Sequence, residues 1–392
     1  MYTHSHPYTT LLSHLSAHLP HSGPLYRRIQ YQVSHSSPTA HVFASFPEFE
    51  TPQSASGSGP QGQEQGPWLA AYADIHRGPD TQIWLFSSLE SSANSETESS
   101  QLPSESNGAS DGSASARLHP RAREITKNHL LSLFTYIQST LVPAYLSSLS
   151  TTPTPVSTIS ATVDEGVPKI PAHAPTSYLL GTVHTLLESL IVELREQGKL
   201  TIHRGAGVHY VKYCFPNEAF SAEPTPSPLK EEQSTGAGYR FHDSAGTSGI
   251  QGHHIDLVKN RTNIPRSREA LLAMGGVALY HGDGPSASIG KQGSGEMPIA
   301  WAFLGFDGSL SSLHVEPEHR GRGLAALVGR EVMKRGVEVF EPENSCSGPR
   351  GTSEEWYYAD VAVDNAASRR VMEKMGGVAR WRVAWMVVEV QN

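Results

Sequence analysis

Arg320, Gly321, Arg322, Gly323, Leu324 and Ala325 stand where a β-type run, Ser309 to Val315, meets the start of an amphipathic helix. Such a segment can hold an anion. The first N–H groups of a helix have no intrahelical partner, and the helix dipole adds partial positive charge there. Gly321 and Gly323 carry no side chain, so a bulky diphosphate can approach the backbone. Arg320 and Arg322 add charge. Beyond them Leu324, Leu327, Val328 and Val332 recur at helical spacing. Gly336, after Lys334 and Arg335, reads as the helix stop.

Three phosphate-binding patterns compete for this turn. A P-loop needs a Gly-Lys-Ser/Thr ending, which is absent. The dinucleotide fingerprint fits only in part, because Ala326 stands at its third glycine. The third pattern, Arg/Gln-x-x-Gly-x-Gly/Ala, is met by Arg320 to Ala325 at every fixed position. The bland alternative is a glycine turn with solvated arginines.

Elements on both sides must position the turn. Ile255 to Lys259 reads as a first strand and Thr262 to Met274 as a helix, with Pro265 in its first turn and Gly275-Gly276 closing it. Val277 to His281 and Pro298 to Gly305 are strands, and Asp307-Gly308 signals a hairpin. Downstream, Tyr357 to Val363 alternates as a strand. Asn365 caps a helix from Ala366 to Met375, and Val378 to Val390 supplies two last strands.

The Arg320–Ala325 pattern resembles the acyl-CoA pyrophosphate loop of the GNAT N-acetyltransferase superfamily. Asn365-Ala366-Ala367-Ser368 resembles the Asn-x-x-Ala/Ser segment after that superfamily's fifth strand. The run Met297 to Phe303 with Asp307-Gly308, and Leu313 to Arg320, resemble the glycine N-acyltransferase-like branch with its fungal relatives. The resemblance covers roughly Gln251 to Asn392. It implies an α/β (α+β) GNAT fold, with a mixed, mostly antiparallel sheet flanked by helices and a degenerate GNAT-like N-terminal half. By the same resemblance Leu313 and Val315 border the pantetheine arm. Arg320, Gly321, Arg322, Gly323, Leu324 and Ala325 cradle the diphosphate, and Asn365 and Ser368 lie near the arm's far side.

Acyl transfer to an amine needs a proton acceptor and donors for the developing oxyanion. The superfamily's usual Glu position falls on Ser309, just after Asp307, and its usual Tyr position on Met372. His314 is the best-placed titratable group, since an imidazole titrates near pH ~6.5. Two readings stand for it: the base, or a hydrogen-bonded histidine facing a helix. A bulge in this strand would decide its face. Asp360 is the second candidate base, with a structural carboxylate as its plain reading. Tyr358 or Tyr357 could serve as the acid, or simply pack in the sheet. Glu316 and Glu318 are expected to face solvent. Cys346 sits in a Ser/Gly/Pro loop with no evident base, so an acyl-cysteine route is discounted.

The 392 residues leave room for two domains. The expected organisation is 1–150, a degenerate GNAT-like half; 151–175, a Ser/Thr/Pro-rich linker; 176–250, joining elements with a flexible loop; and 251–392, the catalytic domain. Asn94 to Ala116 reads as a polar low-complexity insert. Ala222 to Gly249, Gly282 to Gly295 and Pro342 to Ser353 read as expanded loops. In the first half, Leu25 to Val33, Ala40 to Phe46, Trp68 to His76 and Thr81 to Leu89 read as strands. Asn128 to Leu141 and Tyr178 to Gln197 read as helices, and Leu200 to His203 and Val208 to Phe215 as strands.

A net charge of −8, from 30 basic and 38 acidic residues, argues against a nucleic-acid partner. No run is long enough to cross a membrane, Met1 to Pro20 lacks a secretory signal's apolar core, and two cysteines make no disulfide framework. A cytoplasmic setting is expected. The 20 histidines are scattered without zinc-ligand spacing, so no metal is expected. The resulting expectation is an N-acyltransferase that uses acetyl-CoA, or another acyl-CoA, and a small amine or amino-acid-like acceptor in a ternary complex. A protein N-acetyltransferase and a non-catalytic acyl-CoA-binding protein are the alternatives.

Overall fold

Successive residues of the strand Leu69–Ala73 belong to two different cores. Leu69, Ala71 and Ala73 join one apolar cluster, and Ala70 and Tyr72 join the other. A strand covered on both faces carries an unbroken apolar run. This computed structural model describes residues 1–49, 66–78, 80–93, 118–151, 170–216, 220, 238–282, 295–340 and 356–391. The insert expected at Asn94 to Ala116 and the loop Pro342 to Ser353, with Cys346, lie outside them. The other expected inserts do so in part.

The chain divides into two units: Met1–Ser157 with His173–Tyr210 and Trp381–Asn392, and Thr158–Ala172 with Val211–Arg380. The first unit runs β1 (Tyr2–Thr3), α1 (Pro7–Thr10), α2 (Leu12–Ser16), α3 (Gly23–Ser34), β2 (His41–Ala44), β3 (Leu69–Ala73), β4 (Ile83–Ser87) and α4 (Leu89–Ala93). It continues with α5 (Pro120–Tyr136), a π-helical turn (Ile137–Leu141), α6 (Val142–Thr151), β5 (Tyr178–His184), α7 (Thr185–Glu196) and β6 (Leu200–Arg204). Its strands lie in the order β1-β2-β3-β4-β5 and then the chain's last strand, β13 (Val378–Val390), with β6 also on β13. All these pairings are antiparallel except β4 with β5.

Three sequence expectations fail in this unit. Leu25 to Val33 is helix, not strand. Leu25 and Ile29 are buried at helical spacing, and so is Arg28, whose guanidinium lies 3.9 Å from the centre of the Tyr72 ring. A cation held over an aromatic face completes the buried stripe that the apolar residues alone leave broken. Tyr178 to His184 is strand, and helix begins only at Thr185. His184 Nδ1 accepts from the Leu186 N–H and caps α7. Val378 to Val390 is one strand rather than two.

The second unit holds most of β7 (His209–Pro216), then β8 (Tyr239–Arg240), α8 (Ile255–Asn260), α9 (Arg268–Met274), β9 (Gly276–His281), β10 (Ala300–Leu304), β11 (Leu310–Val315), α10 (Leu324–Phe340), β12 (Trp356–Ala362) and α11 (Ala366–Lys374). Strands β11-β10-β9-β8 form an antiparallel sheet, and β12 neighbours β7. Both units therefore show one order of elements: a short strand, helices, three antiparallel strands, a long helix, a strand and a helix.

Ile255 to Lys259, expected as strand, is helix. Ile255 and Val258 are buried one turn apart, after a 3₁₀ turn at Gly252–His254. The next helix starts only at Arg268, where the Ser267 hydroxyl accepts from Ala270 N–H, so Pro265 lies before it. α10 passes through Gly336 instead of stopping there. A Cβ at Gly336 would collide with Leu304 Cδ2. That glycine lets α10 lie close on β10.

Candidate active site

In the turn that opens α10, Gly321 and Gly323 have φ of 77° and 79°. A side chain is strained at these angles. The space a Cβ would take at either position is open. Gly323 O accepts from Leu327 N–H, so the helix ladder starts there. The N–H groups of the first turn point out of it. Arg320 Nε donates to Val315 O at 3.0 Å, which ties the turn to the end of β11. Arg322 donates to the Tyr239 hydroxyl at 2.6 Å, and that hydroxyl lies 3.2 Å from His319 Nδ1. Burial and the neighbouring His281 and Arg322 lower the His319 pKa. Leu324 is buried and Ala325 half-buried beneath the turn.

β11 is bulged. Trp301 pairs with His314, but Phe303 pairs with Ser311, so Ser312 and Leu313 together face Ala302. Ser312 has φ of 51°. Leu310 faces α10, since it approaches the Cβ position of Gly329. Ser311 accepts a hydrogen bond from Arg266, before α9, and so faces the other way. The bulge puts His314 on the Ser311 face, where it stacks on Trp301. Without the bulge, alternation would turn it toward α10. His314 Nε2 lies 3.7 Å from Glu316 Oε2. Burial lowers the His314 pKa most; Arg320 and Arg261 add to this and Glu316 opposes it. Glu316 is not free in solvent as expected. Its carboxylate accepts from Arg261 Nε at 3.0 Å, whereas Glu318 is exposed.

Among the described residues β12 and β11 share no ladder. The parallel bridge Ser309–Tyr358 joins them, with Tyr358 N–H donating to Gly308 O at 3.1 Å. Beyond this bridge β11 is the edge strand of its sheet, and it carries Leu313 and Val315. Asp307 Oδ1 accepts from Ser309 N–H and shapes the bridged end. Asp360 points away to Lys212, with Nζ–Oδ1 2.6 Å and side-chain exposures of 7% and 1%. Tyr357 and Tyr358 are fully buried. Met372 is the buried residue of α11. Asn365 Oδ1 accepts from Ser368 N–H at 3.0 Å, which makes Asn365 the cap of α11.

Residues 1–213 match the family described as acyl-CoA N-acyltransferase verG N-terminal domain. The chain belongs to that family. Its fold is mixed α/β, with mostly antiparallel sheets flanked by helices. Among solved structures it is similar to a Drosophila protein at 13% identity, with 96% of this chain and 95% of that one covered and a TM-score of 0.48. A GCN5-related N-acetyltransferase from Sphaerobacter thermophilus is 11% identical over 84% of this chain and 82% of its own, TM-score 0.33. Another, from Kribbella flavida, is 13% identical over 55% and 68%, TM-score 0.31. No curated protein matches the sequence.

The family match falls on the half without the Arg-Gly turn. In that half β3 and β4 pair in unbroken register from Leu69–Ser87 to Ala73–Ile83. The bulge and the turn thus occur together, in the second unit. Sequence reasoning missed Ser312, Arg261 and Tyr239 at this site. Register and long-range contacts placed them, and no local signal marks either. Among the described residues, no group of three His, Cys, Asp or Glu side chains could hold a metal, and no helix is long and apolar enough to cross a membrane.

Proposed function

We propose that this acyl-CoA N-acyltransferase family member transfers a short acyl group, acetyl first, from coenzyme A to a small amine or amino-acid-like acceptor. One observation carries the reading: β11 is bulged at Ser312, shares no ladder with β12 among the described residues, and leads through a 3₁₀ turn at Pro317–His319 into the open glycine turn of α10. An unpaired strand edge offers backbone donors and acceptors to the amides of a pantetheine arm. The helix N-terminus beyond it suits the diphosphate.

Leu313 and Val315 border the arm. Arg320 to Ala325 hold the diphosphate, with Asn365 and Ser368 on the far side. Burial disfavours the charged form of His314 and lowers its pKa. In its neutral form the imidazole can take the proton that the attacking amine loses. Asp360 holds Lys212 instead. Tyr358 bridges to Ser309 through its backbone. Thiolate leaves without a dedicated acid, which suits direct attack in a ternary complex. A second reading, an acyl-CoA-binding protein without turnover, is favoured by Met372 at the superfamily's usual Tyr position.

The test is thiol release from acetyl-CoA over a panel of small amines, amino acids and peptides. Release with small amines supports the reading. Release with peptides alone moves the acceptor to proteins. Tight acetyl-CoA binding with no release from any acceptor favours the second reading.

A further inference from the structure

β11 bears two unfavourable features at one residue. Ser312 has φ of 51°, in the left-handed region that side chains disfavour, and its hydroxyl is buried with no hydrogen-bond partner. The Ser309 hydroxyl, three residues earlier, is buried without one as well. Each feature costs free energy, and a bound group that accepts from the hydroxyl would offset part of that cost. Ser312 lies past the Ser309–Tyr358 bridge, on the edge of β11 that pairs with no strand among the described residues. The bulge also leaves one residue out of the ladder, which adds a backbone donor at the same point.

We propose that the Ser312 hydroxyl donates a hydrogen bond to the carbonyl oxygen of the bound thioester, which makes Ser312 a catalytic residue. This rests on the acyltransferase reading above. When the amine nitrogen forms its bond to the carbonyl carbon, the C=O pair moves onto oxygen and the Ser312 O–H holds that charge. The pair then returns, the C–S bond breaks, and sulfur leaves as thiolate. The amine proton passes to the base and on to water. Preorganised donors of this kind act where charge develops, in a site with little water.

Ser312→Gly and Ser312→Ala test the proposal. Glycine is at ease at this φ, so Ser312→Gly removes the hydroxyl while relieving the backbone. The readout is the infrared carbonyl stretch of bound acetyl-CoA carrying ¹³C at the thioester carbon, which needs no acceptor. In the unsubstituted protein the stretch should lie below its value in free acetyl-CoA. In both variants it should move back toward the free value, while the melting temperature of Ser312→Gly holds or rises. With an acceptor, turnover should fall by roughly 10²-fold or more. Thr182 is the control. It too has positive φ, at 52°, and a buried hydroxyl without a hydrogen-bond partner, but it lies in the unit without the Arg-Gly turn. Thr182→Ala should leave the stretch unchanged. An identical stretch in the unsubstituted and Ser312 proteins, all with acetyl-CoA bound, overturns the proposal and leaves the acyltransferase reading intact. Failure of the unsubstituted protein to bind acetyl-CoA overturns both.

Discussion

His314 lies flat against Trp301, with ring centroids 4.6 Å apart and 22° between planes. The register around Ser312 makes this contact, because one extra residue in β11 brings His314 onto the face that Ser311 and Trp301 share. The stack fixes the ring and shields part of it from water. Shielding raises the cost of the imidazolium and lowers the pKa.

The sign of the resulting pH dependence follows. A base acts in its neutral form, so activity is full above its pKa and lost as pH falls through it. With His314 held below the ordinary value, the acid limb of kcat/KM should have its midpoint below pH ~6.5. His314→Gln should lower kcat by roughly 10²–10⁴ and abolish that limb. A pH–rate profile with the same limb in the variant would remove His314 as the base.

Asp360 and Lys212 make the opposite case, a titratable pair that holds the fold. Both side chains are almost wholly buried at 2.6 Å. Asp360→Asn strands the lysine charge and should destabilise the protein by about 3–5 kcal/mol. The double change Lys212→Met with Asp360→Leu should recover most of that in denaturant unfolding. An Asp360→Asn protein of unchanged stability and no turnover would make Asp360 the base instead.

The features legible in the sequence were local ones. Asn365 announced a cap because a short amide bonds the backbone three residues on, whatever the rest of the fold does. The Arg320–Ala325 turn was legible for the same reason, since its glycines are needed by its own φ angles. Features that depend on distant partners were not. Arg28 broke the apolar count of α3 until Tyr72 came over it. Tyr178 to His184 read as the first turns of α7 because a strand buried along its length is as apolar as a helix. Gly336 looked like a stop signal, and only Leu304 across the interface gives its reason. The bulge at Ser312 is a relation between two strands, so neither strand's sequence contains it.

The central claim is that the Arg-Gly turn and the unpaired edge of β11 hold acyl-CoA. Calorimetric titration of acetyl-CoA into the purified chain tests it most directly, alongside Arg320→Ala with Gly323→Val. The double change removes the tie to Val315 and puts a branched side chain at φ 79°. The account predicts saturable binding to the unsubstituted chain, and loss of binding in the variant while its circular dichroism is retained. No binding to the unsubstituted chain, or equal affinity in both, would contradict it.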